Sequence, residues 1–411
     1  MLHAVRIALV VGWIMRAAAL TSAASLTRAC DAPPLPVPTG TVVRVSTESA
    51  LQVAVRSLSS GTTILIEPGT YNLSRTLVIG GGVERVAIRG NSNRCDDIVL
   101  VGQGMTNPNY GQIPHGIWIG NARHVLVANL TIRDVFHHPI QLEPFAGAQA
   151  PHIYNVRMID AGEQFVKSSA NPGNGRGVND GMVEYSIMEY TTTARSGYTN
   201  GVDVHQGAGW IIRHNVFRNI RAPAGRLAGP AVLMWNRSRD SIVKGNVFLN
   251  IQYGIALGLD PGRPDDHSGG VVRNNFIHRN AAQSGDVGIA LNNSAGTKVL
   301  HNTVLLSGTY PNAIEYRFSP TSGVQIRYNL TDAAVRQRDG ATGMVADNLT
   351  SARPSWFVNA AIGDLHLTPA GLAAIGRAGP HSHSQTDYGQ EERSAVGAPT
   401  IDADEPGPDR P

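Results

Sequence analysis

"WIIRHNVF" at residues 210–217 returns as "SIVKGNVF" at 241–248 and as "GVVRNNFI" at 270–277. Each copy is a short β-branched run, then an asparagine, then another apolar residue. The same pattern sits in "HVLVANLTI", "HIYNVRMI", "TKVLHNTV", "GVQIRYNLT" and "GMVADNLT". The asparagines are Asn129, Asn155, Asn215, Asn246, Asn275, Asn302, Asn329 and Asn348, and Ser186 fills the gap between the second and third. Spacings of 26 to 31 residues, with a last one of 19, lie in the range of stacked repeats.

A second unit alternates between the asparagines: "HPIQLE", "QFVKSS", "GVDVHQG", "AVLMWN", "YGIALG", "VGIALN", "NAIEYR" and "AAVRQR". Period-2 alternation reads as a half-buried strand. Neither strand of a repeat can bury its apolar face alone, and stacking successive turns builds one continuous core. The architecture expected is an all-β solenoid, a parallel β-helix. An asparagine at each bend satisfies backbone amides that the turn leaves unpaired and bonds to its counterpart above and below. Asn129, Asn329 and Asn348 also match Asn-x-Ser/Thr, and are read as members of this ladder.

Composition agrees. The chain has 411 residues, 45 of them glycine, and only 16% are charged. That excludes a helical bundle and a disordered chain. Net charge is +3, and Arg6 and Arg16 belong to the leader, so nothing points to nucleic acid. "MLHAVRIALVVGWIMRAAALTSAAS" has the basic start, apolar stretch and small-residue run of an export signal. Arg16 interrupts the apolar run, and no other segment is long enough to span a membrane. Secreted or periplasmic export follows, and Cys30 stands where a lipid anchor is conceivable. Cys30 and Cys95 are the only cysteines, and in an exported chain such a pair reads as a disulfide. The expected division is a signal peptide at 1–25, an N-terminal segment with a helix at 26–60, the β-helix at 61–367 and a C-terminal cap at 368–411. A monomer is expected.

The ladder, the opening "GTTILIEPGTYNL" and the close "FVNAAIGDLHLTPAG" resemble the secreted right-handed parallel β-helix proteins of the pectate-lyase-like fold. The resemblance runs over roughly residues 40 to 400. It implies right-handed coiling and a short capping helix, for which "TESALQVAVRSLSSG" is the candidate. It leaves the chemistry open, because folds of this kind host many functions.

Candidate chemistry comes from the outward side of the second strands. With Leu142, Val166, Val204, Met234, Leu257, Leu291 and Tyr316 taken as inward, the next residue of each strand points out. That column is Glu143, Lys167, His205, Trp235, Gly258, Asn292 and Arg317. Two positions earlier, a second column includes Gln141, Phe165, Asp203 and Leu233. Adjacent turns lie about 4.8 Å apart, so Lys167, His205 and Asp203 become neighbours. A base, an acid and the aromatic platform of Trp235 suit an acidic polysaccharide. Glu143, Arg237 and Arg317 are candidate substrate contacts, because a guanidinium pairs with a carboxylate through two hydrogen bonds. The same pattern is also that of an ordinary solvated sheet face. His137 and His138 lack metal spacing and read as surface or packing residues.

"FVKSS" further resembles the lysine motif of the chondroitinase B and alginate lyase family. The resemblance implies that Lys167, beside Ser168 and Ser169, is the base of a β-elimination. Where that family carries arginine, histidine and glycine on the next turn, this chain has His205, Gln206 and Gly207. His205 is then the candidate acid, and calcium held near the lysine would fall to Asp160 and Glu163. Two alternatives stand beside the lyase. "YTNGVDVHQG" resembles the polygalacturonase signature with Asn200 in place of its first aspartate, leaving Asp203 for a hydrolase. A non-catalytic glycan-binding or surface protein would carry the same groove with Lys167 solvated and far from His205.

Overall fold

The computed structural model describes residues 30, 32–171, 173, 175–371, 373–378, 386–390, 393 and 399–404. The export signal at 1–25 lies outside the described residues. From Thr41–Val45 onward the chain winds in parallel turns, and strand pairs with the strand one turn later as far as Gly343–Ala346. This is a right-handed parallel β-helix with two long parallel sheets, one of 20 strands and one of 10.

The larger sheet covers two walls joined by the asparagine bend. Ile211–Arg213, for example, lies before the bend and Val216–Arg218 after it. Inward residues stack in columns. Ile212, Val243, Val272, Val299 and Ile326 follow one another from turn to turn, each with no exposed surface. Beyond the bend, the Phe217 and Phe248 rings stack with centroids 4.6 Å apart. Burying each such side chain contributes about 1.5–3 kcal/mol, which no isolated turn could collect.

The ladder differs in one respect from its expected form. From Ser186 through Asn215, Asn246, Asn275, Asn302 and Asn329 to Asn348 it is continuous. Asn275, for instance, donates through Nδ2 to Asn302 Oδ1 at 2.9 Å, and its Oδ1 accepts the backbone N–H of Asn246 at 3.0 Å. The residue before each ladder member is left-handed, as at His214 (φ 54°), Gly245 (φ 63°) and Asn274 (φ 55°). Asn129 and Asn155 are not in this column. They occupy the left-handed position itself, with φ of 56° and 52°. Asn155 bonds to Asn129 at 2.9 Å, and both reach to the carbonyls of Ser92 and Asn93. The bend keeps its column, since Asn129, Asn155 and Tyr185 are in register and all left-handed; in the first turns the asparagine itself stands at the bend, one residue before the ladder, and anchors the segment that carries Cys95.

Helix Glu48–Arg56 caps the first turn. Thr47 accepts the N–H of Ala50, and Leu51 and Val55 are buried over the open end of the core. Cys30 and Cys95 form the expected disulfide, with Cα atoms 4.9 Å apart. Among the described residues no helix is long and apolar enough to cross a membrane. At the other end, Phe357–Asn359 pairs antiparallel with Asp364–Leu367. This hairpin packs on Val247, Phe276 and Leu330, the outer side of the wall after the bend. The outer face of the ten-stranded sheet is left to carry a site.

Candidate active site

Three short strands build the centre: Ile140–Leu142, Val166–Ser168 and Val202–His205. Leu142 and Val204 share a row as expected, and only the middle strand differs in register, by two residues. Lys167 stands beside Gln141 below and Asp203 above, while Ser168 shares the inward row of Leu142 and Val204. Glu143 consequently lies in the row of Ser169, with Lys167 one position over. Phe165, expected outward, is in the core with no exposed surface, edge-on to Tyr190. A shift of two keeps a side chain on its face, so Lys167 remains outward.

Lys167, Asp203 and His205 meet. Lys167 Nζ donates to Asp203 Oδ2 at 2.7 Å and lies 2.9 Å from His205 Nε2. Lys167 is 7% exposed and Asp203 2%. Trp235 is the next residue up from His205. Its Nε1 donates to Asp203 Oδ1 at 2.9 Å, and its ring centroid is 4.4 Å from that of His205. It thus braces the carboxylate, besides offering a partly exposed edge to a ligand.

Burial holds the His205 imidazole down at about pKa 4; Asp203 opposes this, and the Lys167 and Arg263 charges reinforce it. The ring is neutral at neutral pH. A neutral ring that accepts from the Lys167 ammonium at Nε2 carries its proton on Nδ1. On the other side of the ring the Asn236 side-chain Nδ2 lies 3.2 Å from Nδ1. Below the lysine, Gln141 Nε2 donates to Ser169 Oγ at 2.9 Å. Burial raises the Glu143 carboxyl above its usual range. The loop after Ser169 is tied to the next turn by Gln206 Oε1, which accepts the N–H of Asn171 at 2.7 Å.

His138, read from the sequence as a surface or packing residue, packs beside the site. It is 7% exposed, its ring stacks on His115 with centroids 5.2 Å apart, and its Nδ1 is 3.1 Å from the Gln164 carbonyl. Burial first, then the His115 charge, hold His138 well below the usual imidazole range, and the Lys167 charge adds to this. The sequence signal was available: "HHP" immediately precedes the strand that pairs with Val166–Ser168.

The remaining candidates fall elsewhere. Glu163 is bonded to His137 Nδ1 and to Arg195, each at 2.9 Å. Asp160 accepts the backbone N–H of Thr191 at 2.8 Å and the Thr191 hydroxyl. The two carboxylates serve different bends, and one is matched by a guanidinium, so they do not fit a calcium ion. Among the described residues no group of three or more His, Cys, Asp and Glu side chains is arranged to hold a metal. Arg237 pairs with Asp265 at 2.9 Å on an exposed loop. Arg317 pairs with Asp339 at 2.8 Å. It shares His205's outward row but lies four turns up, about 19 Å away.

No protein-family model and no curated protein sequence matches the chain. Solved structures do. The pectate lyase Pel9A superposes with a TM-score of 0.58 and 14% identity, covering 90% of this chain and 97% of that one. A rhamnogalacturonan lyase gives 0.49 and 13%, over 81% and 98%. An alginate lyase from Paenibacillus sp. str. FPU-7 gives 0.41 and 14%, over 75% and 99%. The chain has the pectate-lyase-like parallel β-helix fold. At these identities the likeness is one of fold.

Proposed function

We propose that the protein is an exported polysaccharide lyase that cleaves a uronate-containing polymer by β-elimination on the outer face of its ten-stranded sheet. The observation that carries the reading is a buried Lys167 amine, 2.9 Å from a neutral imidazole and 2.7 Å from a carboxylate. A solvated lysine far from His205, the mark of a mere binding face, is the opposite arrangement. The leader sequence and the Cys30–Cys95 disulfide support export.

In the resting state the Lys167–His205 pair holds one dissociable proton beyond the neutral ring, and that proton sits on Nζ. Moving it 2.9 Å to Nε2 leaves a neutral amine beside an imidazolium, with Asp203 stabilising the new cation. This form is competent. The amine takes the proton from the carbon next to the uronate carboxylate, and the imidazolium protonates the glycosidic oxygen. The C–O bond breaks as the C=C bond forms, and the pair regains its starting proton count. Elimination also requires a cation beside the substrate carboxylate. Arg263 fits this role: its charge is felt at His205, and its own partners Asp266 and Asp260 are at 3.6 and 4.0 Å, looser than a hydrogen bond. Hydrolysis through Asp203 is disfavoured, because both its oxygens are engaged by Lys167 and Trp235.

The test is ultraviolet absorbance of the unsaturated product against polygalacturonate, alginate and related uronate polymers, with and without calcium. Absorbance that disappears in Lys167→Ala supports elimination. New reducing ends without absorbance reassign the protein to hydrolysis, and silence on every polymer favours binding alone.

A further inference from the structure

The outward row that contains Lys167 is exposed at its first residue, polar and buried through its middle, and covered by an apolar roof at its far end. Val78 and Trp118 precede Gln141 in this row, and Val78 is 52% exposed. Gln141, Lys167 and Asp203 follow at 5%, 7% and 2%. Beyond Asp203 the row turns apolar, through Leu233, Ala256 and Ala290, which are 2%, 0% and 1% exposed although they point away from the core. They are covered by Trp235, Tyr253, Leu259 and Tyr310, which pack on them as a separate apolar cluster.

Trp235, Tyr253 and Tyr310 of this roof come from other parts of the turns, and Leu259 brings one further segment into it. The segment after the strand Ile255–Leu257 crosses toward the neighbouring turns, and Asp266 pins it. One Asp266 oxygen accepts the N–H groups of Leu259 and Asp260 at 2.6 and 2.8 Å, and the other accepts the N–H of Asn236 at 2.6 Å. Asn293 Nδ2 holds the Asp260 carbonyl at 2.8 Å from the next turn. The adjoining outward row is closed at the same level, where Gly258 and Asn292 are buried. Arg263 belongs to this segment.

We infer that Trp235, Tyr253, Tyr310 and the segment 258–266 together form an end wall, so that the groove accepts a glycan from the Trp118 side only and the protein acts at chain ends. From Val78 to Asp203, the part of the row outside the apolar roof, the run is four turns, about 19 Å. A chain lying along it with its reacting uronate at Lys167 meets the wall at once and has no path over Leu233 or Ala256. This deepens the elimination reading and rests on it for the location of the reacting sugar.

Two measurements test it. With active protein on long polygalacturonate or alginate, end-directed action raises absorbance while viscosity falls slowly, and one short product size appears from the first time point. Early collapse of viscosity with a ladder of product sizes would overturn the wall while leaving elimination intact. Binding stoichiometry is independent of catalysis. The Lys167→Met/Asp203→Asn variant, titrated with chains of increasing length in sedimentation equilibrium, should bind one protein per chain at every length. Protein-to-chain ratios that climb with length mean an open groove, and would overturn the inference even if no polymer were ever cleaved.

Discussion

Replacing Lys167 by methionine removes the cation from a carboxylate that is 2% exposed and leaves Asp203 with the Trp235 N–H alone. Breaking a buried pair from one side costs about 3–5 kcal/mol, because a desolvated charge remains without its partner. Asp203→Asn should cost a similar amount, since it strands the ammonium while keeping an acceptor for Trp235. The double variant holds no charge in the site and should cost less than the sum of the two by at least about 2 kcal/mol. Lys167 is 7% exposed, so little solvent screening reduces this coupling. Chemical denaturation of the four proteins gives the cycle, and product absorbance on the same samples gives activity. All three variants should be inactive, the double one despite its restored stability. A coupling below about 0.5 kcal/mol, typical of solvated pairs, would refute the burial argument. A double variant that still eliminates would refute the role of the amine.

Activity should fail on the acid side near pH 4, where His205 is protonated and can no longer accept the proton it shares with the lysine; the pH–rate profile of kcat/KM reads it. Stability has its own acid dependence. His205 and His267 are held at about 4 and about 3 by burial, below the unfolded 6.5, so each contribution is complete above pH 6.5 and is lost as pH falls toward the folded value. Between those limits each costs about 1.4 kcal/mol per pH unit, visible in denaturation midpoints from pH 7 to pH 4. Asn275→Ala strands the Asn246 N–H and the Val243 carbonyl in the core and should destabilise by about 2–4 kcal/mol, against a few tenths for an exposed asparagine. Cys30→Ser opens a closure spanning 65 residues and should cost about 2–5 kcal/mol in the oxidised protein and nothing after reduction.

The repeat was legible because each turn buries the same two strands against its neighbours, so the apolar period and the bend residue recur whatever the loops do. What failed was register, and only locally. At "FVKSS" two apolar residues adjoin, and Val166 was set beside Leu142 because a hydrophobic slot was expected to hold a hydrophobe. The slot beside Leu142 and Val204 is filled by Ser168 instead, whose hydroxyl is buried and has no hydrogen-bond partner. A polar atom in a core row contradicts the pattern that periodicity reads, and it sits next to the lysine. The Asn129 and Asn155 mismatch has a different origin: the strands stay in register, but asparagine also suits the left-handed bend position one residue before the ladder, and sequence alone does not tell the two uses apart.

The site survived the register error because slipping by two preserves the face, and the Lys167 side chain is long enough to span the difference to His205. Its limits were not legible. Trp118 and Leu233 look alike as outward apolar residues, yet Trp118 is half-buried while Leu233 is covered by Trp235, Tyr253, Tyr310 and a crossing segment that brings Leu259. That segment is "LGLDPGRPDDHSGG", where turn residues dominate and the fold-determining contact is one aspartate gathering three N–H groups. Loop residues of this kind follow no period, since they answer to a single bend and not to a stack. A solenoid therefore discloses its walls and its outward polar row through repetition. What closes the proposed groove is set where repetition stops, in part at the segment carrying Leu259, Arg263 and Asp266.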